Sequence, residues 1–301
     1  MPRLVDALRQ AGASATFLFS VGPDHTGRAL RRVFRPGFLS KVSRTSVVEH
    51  YGVRTLLYGT LLPGPHIGRR CVAEMRAVAA AGFEVGLHTY DHVKWQDFVP
   101  NKDAAWTARE MTAGIDAFRA VFGHQPTVHG AAGWQMNDAA FVLEAQLGFE
   151  YASDTRGTHP FRPVVDAAVA CPQIPTTLPT LDELIGRDGM SVEDAADHIL
   201  ALTREPPPTG HVYTLHAELE GMRLLRAFMR LIDGWRRQGY VLSSLRDVYA
   251  RTKADTLPLH RVIAAPVAGR SGTLACQGNA IADGDRAGSA RPGRPDARLP
   301  R

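Results

Sequence analysis

The sequence predicts an α/β fold built on a parallel sheet whose strand ends carry polar and aromatic side chains. Near-continuous apolar runs of strand length, such as SATFLFSV at 14–21, suit strands buried on both faces. Segments of helical period separate these runs, as a parallel sheet requires of its crossovers. Three successive strands end at His88, Trp134 and Asp154, and polar or aromatic groups at strand ends are what a barrel mouth needs. A chain of 301 residues, 45% hydrophobic and 22% charged, can bury one large core, as a single α/β barrel or as two smaller domains.

The elements follow in order. PRLVDALRQ at 2–10 places Leu4, Val5 and Leu8 on one helical face, and Gly12 closes the helix. The strand at 14–21 comes next, so the chain opens in a helix with no strand before it. From 24 to 44, Arg28, Arg31, Arg32, Arg35, Lys41 and Arg44 interleave with Leu30, Val33, Phe34, Phe38 and Leu39. That pattern fits an interfacial amphipathic segment facing anionic lipid, and equally a solvated basic face over a core stripe. Helical period predicts a helix over 67–81 and another over 102–122; FEVGL at 83–87 is a buried strand between them. Strands are expected at 127–132 and 149–153, with a helix at 137–146 between them. The Pro- and Gly-rich stretch 155–182 is too long for a plain connector and is expected to cap the mouth as a substrate loop. A helix at 191–203, a strand at 211–215, a helix at 221–237, an apolar pair at 241–242 and a helix at 243–249 complete the body. Residues 1–278 are expected to form one domain, and 279–301, lacking large apolar residues, a disordered tail.

Composition narrows the function classes. A formal charge of +5 is modestly basic, which suits an anionic ligand or membrane surface and demands neither; no nucleic-acid role is expected. Cys71, Cys171 and Cys276 are far apart and form no CxxC, so neither a disulfide framework nor a cysteine metal site is expected, and a reducing compartment is the default. No stretch has the length and apolarity of a transmembrane helix, and no signal-type segment follows Met1.

The chemistry concentrates on histidines. If the chain turns helically after Leu87, His88 and His92 lie four apart on one face and both can reach one divalent cation. Twelve histidines in the chain make such a spacing easy to meet by chance, and strand-end placement is what lifts it. His216, at the end of another strand, could protonate a leaving amine, and Asp154 could accept its second N–H. Taken singly, His216 reads better as a satisfied core histidine, and Asp154 reads equally as a helix cap or turn residue.

The blocks HTYDH at 88–92, TLHAE at 214–218 and SDTRG with the following PFRP resemble the polysaccharide deacetylase, or NodB-like, superfamily. Within it, FSVGPD at 19–24, GAAGW at 130–134, QIPTTLPTLDE at 173–183 and AGRSGTLACQ at 268–277 resemble the 4-deoxy-4-formamido-L-arabinose-phosphoundecaprenol deformylase family. The resemblance implies a distorted (β/α)7 barrel with one divalent metal ion, Zn, Mn or Co, on His88 and His92. It implies His216 and Asp154 as catalytic groups, with Trp134, Arg156 and Arg162 toward the substrate, since guanidinium forks suit phosphate and sugar oxygens. The implied substrate is a formamido sugar on undecaprenyl phosphate, deformylated at the cytoplasmic face of the inner membrane with peripheral contact to anionic lipid. The freed amino sugar then passes to lipid A and lowers affinity for polymyxin-type peptides.

Two features depart from that pattern. The family's first-strand acidic pair, which supplies the base and the third metal ligand, should precede the helix at 2–10 and is not in the sequence. The expectation is an internal start at Met1, a missing first strand and negligible deformylase activity for this chain. The superfamily's Arg-containing third motif is also not visible, and residues 130–135 occupy its place. An N-acetyl-sugar deacetylase of the same superfamily and a non-catalytic barrel that binds a polyprenyl-phosphate sugar are the competing readings.

Overall fold

The computed structural model describes residues 1–29 and 55–281. Four parallel strands, β1 (Thr16–Ser20), β2 (Glu84–Thr89), β3 (Val128–His129) and β4 (Tyr151–Ala152), pair in that order. Ala152 bridges in parallel to Gln173, and Leu178 donates to the Val212 carbonyl at 3.2 Å, carrying the sheet through residues 173–178 toward 212. On the opposite edge Ser14 donates to the Leu242 carbonyl at 2.9 Å. The segment at 211–215 is extended and held through Thr177 and Leu178, though it is not a regular strand.

Helices cover this sheet as the apolar spacing dictates. The longest, Ala104–Phe122, starts at Asp103, whose carboxylate caps the Trp106 N–H at 2.8 Å, and stops at Gly123 with φ 80°. Its buried residues Met111, Gly114, Ile115, Phe118 and Val121 form one stripe. Gly114 lets the helix lie close over Leu87, whose Cδ2 would sit 3.1 Å from an added Cβ. The expected helix at 67–81 is present as Ile67–Arg70 and Val72–Ala80, separated at Cys71. The helix expected from 221 begins only at Leu225.

A second sheet lies beyond the sequence reading. Strands β5 (Arg162–Val165), β6 (Ala168–Val169), β7 (Leu259–Pro266) and β8 (Thr273–Ala280) pair in the order β6-β5-β7-β8. The stretch 155–182 is therefore not simply a cap: its middle is a hairpin edge that pairs in parallel with β7 through Arg162 and Leu259. Asp166 and Ala167 make its turn with φ of 48° and 64°. The ordered body also runs past 278, since β8 continues to Ala280 and Ile281 donates to Leu259 at 2.8 Å. The rest of the expected tail, and the basic stretch beyond Ala29, lie outside the described residues.

At the end of the parallel sheet opposite His88, Glu84 is 2% exposed. It accepts from Thr16 Oγ1 at 2.5 Å, from the Arg246 N–H at 2.9 Å and from the Tyr151 hydroxyl. One buried carboxylate thus joins β1, β4 and the Leu245–Arg251 helix, and burial followed by the Glu84 charge pushes the Tyr151 phenol upward. Replacing it leaves three donors without an acceptor. Glu84→Leu should cost about 2–4 kcal/mol in urea unfolding and Tyr151→Phe about 1 kcal/mol; a Glu84→Leu loss below about 0.5 kcal/mol would remove this role.

Candidate active site

His88 lies inside β2, and His92 opens the helix His92–Phe98, with Asp91 as its cap accepting from Lys94 N at 3.0 Å. The helical turn expected after Leu87 does not occur. The strand runs on to Thr89, and a strand–turn–helix junction brings the two imidazoles together with ring centroids 5.1 Å apart. His25 holds the junction through Nδ1 on Asp91 Oδ2 at 2.5 Å.

His88 Nδ1 bonds the Gly130 carbonyl oxygen. A carbonyl can only accept, so Nδ1 carries the proton and Nε2 of the neutral ring keeps its lone pair. Burial lowers the His88 pKa to about 4, so the ring is neutral near pH 7. A neutral His88 that keeps its Nε2 lone pair, with the His92 ring beside it, fits a borderline divalent cation such as Zn. Among the described residues no third histidine, cysteine or carboxylate groups with His88 and His92 at ligating distance.

His216 caps the short helix Ala217–Glu220, and its backbone N–H donates to Glu220 Oε2 at 3.0 Å. The expected pairing of His216 with Asp154 is not what the structure shows. Asp182 Oδ1 stands 3.5 Å from His216 Nδ1, within ion-pairing reach, while that nitrogen makes no hydrogen bond. Asp154 is fully buried and turned the other way: its Oδ1 accepts the Ala131 N–H at 2.7 Å, its Oδ2 accepts Gln173 Nε2 at 2.9 Å, and His129 Nδ1 lies 2.9 Å from Oδ1. Glu144 completes this cluster, with Oε1 2.8 Å from His129 Nδ1.

The His129–Glu144–Asp154 group has the composition of a metal site. Its oxygens, however, already take N–H groups from His129, Ala131 and Gln173. Burial alone would pull His129 down, but the charge and hydrogen bond of Asp154 and then Glu144 raise it well above its ordinary value. Burial, then the Asp154 charge, raise Glu144; Asp154, despite its burial, is held low by His129. An imidazolium on an ionised Asp154 accounts for these directions.

Trp134 and Arg156 do come together, in a lattice that also includes Arg270. The two guanidinium carbons lie 5.0 and 4.9 Å from the indole centroid. Glu183 Oε1 receives Arg156 at 2.6 Å and Arg270 at 2.7 Å, and Arg270 also reaches Asp182 at 3.3 Å. Trp134, 5% exposed with φ 53°, donates Nε1 to Thr176 Oγ1 at 3.2 Å, and Thr176 bonds Thr214 at 2.6 Å, two residues before His216. Of the two forks expected to meet substrate oxygens, Arg156 is thus largely engaged by Glu183. Arg162 lies elsewhere: it is on β5 in register with Leu259, and its Nε is buried without a partner.

Sequence reasoning misses Asp182, Glu183, Arg270, His129 and Glu144 as members of the site. The blocks at 173–183 and 268–277 contain three of them, but nothing in either block says that they meet.

Comparison with known proteins follows this geometry. Residues 1–152 match the polysaccharide deacetylase family. A probable 4-deoxy-4-formamido-L-arabinose-phosphoundecaprenol deformylase of Shewanella sediminis is 34% identical over 281 residues, covering 93% of this chain and 90% of that protein. A protein of the same description from Wigglesworthia glossinidia brevipalpis is 30% identical over 279 residues, covering 92% and 96%. Among solved structures, a Mycobacterium smegmatis chain of the polysaccharide deacetylase class aligns with a TM-score of 0.51 at 19% identity, over 85% of this chain and 96% of that one. That likeness supports the NodB-type α/β fold.

Glu220 gives the site a pH signature. Burial raises its pKa from 4.5 to about 7, partly countered by His216. The folded state therefore favours the protonated form: this stabilisation is complete below about 4.5 and is lost as pH rises through about 7. Thermal unfolding followed across that window should show the wild type losing stability relative to Glu220→Gln; parallel profiles would reject the assignment.

Proposed function

Because the chain belongs to the polysaccharide deacetylase family, and within it to the 4-deoxy-4-formamido-L-arabinose-phosphoundecaprenol deformylases, we propose that this amide hydrolase removes the N-formyl group from that lipid-linked sugar. The observation that carries the reading is the convergence of three histidines, two from the junction that ends β2 and one from the extended segment before the Ala217–Glu220 helix. His88 and His92 sit side by side, and His216 lies close enough that its charge bears on His88.

His88 and His92 would hold one divalent cation, which when bound polarises the formyl carbonyl and acidifies water. His216 is placed to deliver a proton to the departing amine. Asp182 stands within ion-pairing reach of His216 Nδ1, and Arg270 reaches Asp182 in turn. The Trp134–Arg156–Arg270–Glu183 lattice forms a stiff wall near His216, through the Thr176–Thr214 contact. Among the described residues no third ligand joins His88 and His92, so metal affinity and turnover are expected to be low.

Peripheral contact with the cytoplasmic leaflet is part of the proposal. Among the described residues no helix is long and apolar enough to cross a membrane. A surface groove of about 720 Å³ is lined by Arg3, Arg226 and Arg237 with Met222, Met229 and one acid, Asp233, a basic and partly apolar combination suited to anionic head groups beside acyl chain. The groove gives the lipid-linked substrate a reason that a soluble acetylated sugar does not. Passage of the product to lipid A, and polymyxin resistance, belong to the same reading.

Formate release from the lipid-linked substrate, with Zn, Mn or Co supplied, measures the activity. His216→Ala should lower kcat by about 10²–10⁴-fold with metal binding retained, whereas His88→Ala and His92→Ala should lose metal and turnover together. Full turnover by His216→Ala would overturn the acid assignment, and metal-independent turnover would overturn the rest. Separately, sedimentation with phosphatidylglycerol vesicles should fall in Arg226→Glu/Arg237→Glu and at high salt; equal binding to neutral vesicles would reject electrostatic docking.

A further inference from the structure

We propose that the buried His129–Asp154–Glu144–Gln173 cluster is a positioning device for His88, acting through the backbone of residues 129–131. This inference rests on His88 as a metal ligand, and one arm of its test is independent of that role.

The Gly130 carbonyl that fixes the His88 tautomer belongs to a peptide pinned from every side. Gly130 N–H donates to Leu87 O at 3.0 Å, Ser153 N–H to His129 O at 2.9 Å, and Ala131 N–H to Asp154 Oδ1 at 2.7 Å. A side chain at 130 would have to displace Leu18, whose Cδ1 lies 2.2 Å from an added Cβ. Asp154 is itself held by His129, and by Gln173 on both its Oδ2 and its backbone N–H, the latter at 2.9 Å. Glu144 then holds His129 and Gln173.

These four side chains are 0–1% exposed, and their hydrogen bonds run to one another and to backbone. They therefore act on His88 without touching a ligand. Held this way, the Gly130 oxygen faces His88 Nδ1 and leaves Nε2 as the lone pair. Without it the ring can turn or change tautomer, and the lone pair no longer points one way.

Long-range ¹H–¹⁵N spectra of the metal-free full chain read the tautomer directly. The wild type should show His88 as the Nδ1–H form. Asp154→Ala, which leaves the Ala131 N–H without an acceptor, should give a mixture and weaken Co(II) binding by about 10–100-fold, with a shifted visible spectrum. Asp154→Asn, which keeps the acceptor, should largely restore both. If Asp154→Ala does not fold, Glu144→Gln and Asp154→Asn compared with wild type still decide, because each must keep the Nδ1–H form.

An Nε2–H wild-type His88, or an Asp154→Ala protein with unchanged tautomer and affinity, would overturn the proposal. A wild type that binds no Co(II) yet shows the expected tautomer shift in Asp154→Ala would sink the metal reading and leave the positioning role standing.

Discussion

The short parallel pairing between β2 and β3 is the constraint on which the site depends. Leu87 stands opposite His129, and Gly130 donates to the Leu87 carbonyl. Two glycines permit that approach: an added Cβ at Gly86 would meet Val128 Cγ1 at 2.3 Å, and one at Gly130 would meet Leu18 Cδ1 at 2.2 Å. At Gly86 the added Cβ would also press on the Val128 carbonyl oxygen at 2.8 Å, which cannot step aside as the Leu18 side chain can, so β2 and β3 could not pair as they do. Chemistry at the strand ends is thus set by the absence of side chains close by.

Burial has opposite consequences for two histidines on adjacent strands. His88 and His129 are both enclosed, yet one is pushed down to about 4 and the other is raised. The partner decides. A carbonyl opposite Nδ1 offers a dipole, too weak to repay desolvation of a charge, so His88 stays neutral and can serve as a ligand. Carboxylates opposite Nδ1 offer full charge in a low dielectric, so His129 is held as a cation and has no such use. Counting histidines in the sequence cannot separate these fates, which are fixed for His129 by Glu144 and Asp154, far along the chain.

The parallel part of the fold is legible because each strand and helix carries its own period. The run at 14–21 and the stripe from 104 to 122 are local signals, and the elements stand within a few residues of where they are expected. The second sheet is not legible. β5 pairs with β7 across nearly a hundred residues; β5 is only four residues long, and in β7 only Leu259 and His260, at its start, are buried. Asp154 is misread for a related reason. A strand-end carboxylate can face the mouth or fold back on its own sheet, and only Gln173 and the Ala131 N–H, neither of which marks itself in sequence, decide between them.

The second sheet also explains why the wall beside His216 can be stiff. Arg156 bridges to Cys276 of β8, donating its N–H to the Ala275 carbonyl and accepting from Gln277, so the chain just past Asp154 is stitched into the hairpin. Arg270, from the turn between β7 and β8, then meets Arg156 on the shared carboxylate of Glu183 and reaches Asp182 beside His216. Two guanidinium groups on one buried carboxylate repel each other unless the Trp134 face and Asp182 take up the excess charge, and both stand there. The C-terminal hairpin therefore reaches the site electrostatically as well as mechanically. Arg270 thus shares with Thr180 the hold on Asp182, the one carboxylate within reach of the unpartnered nitrogen of His216 among the described residues.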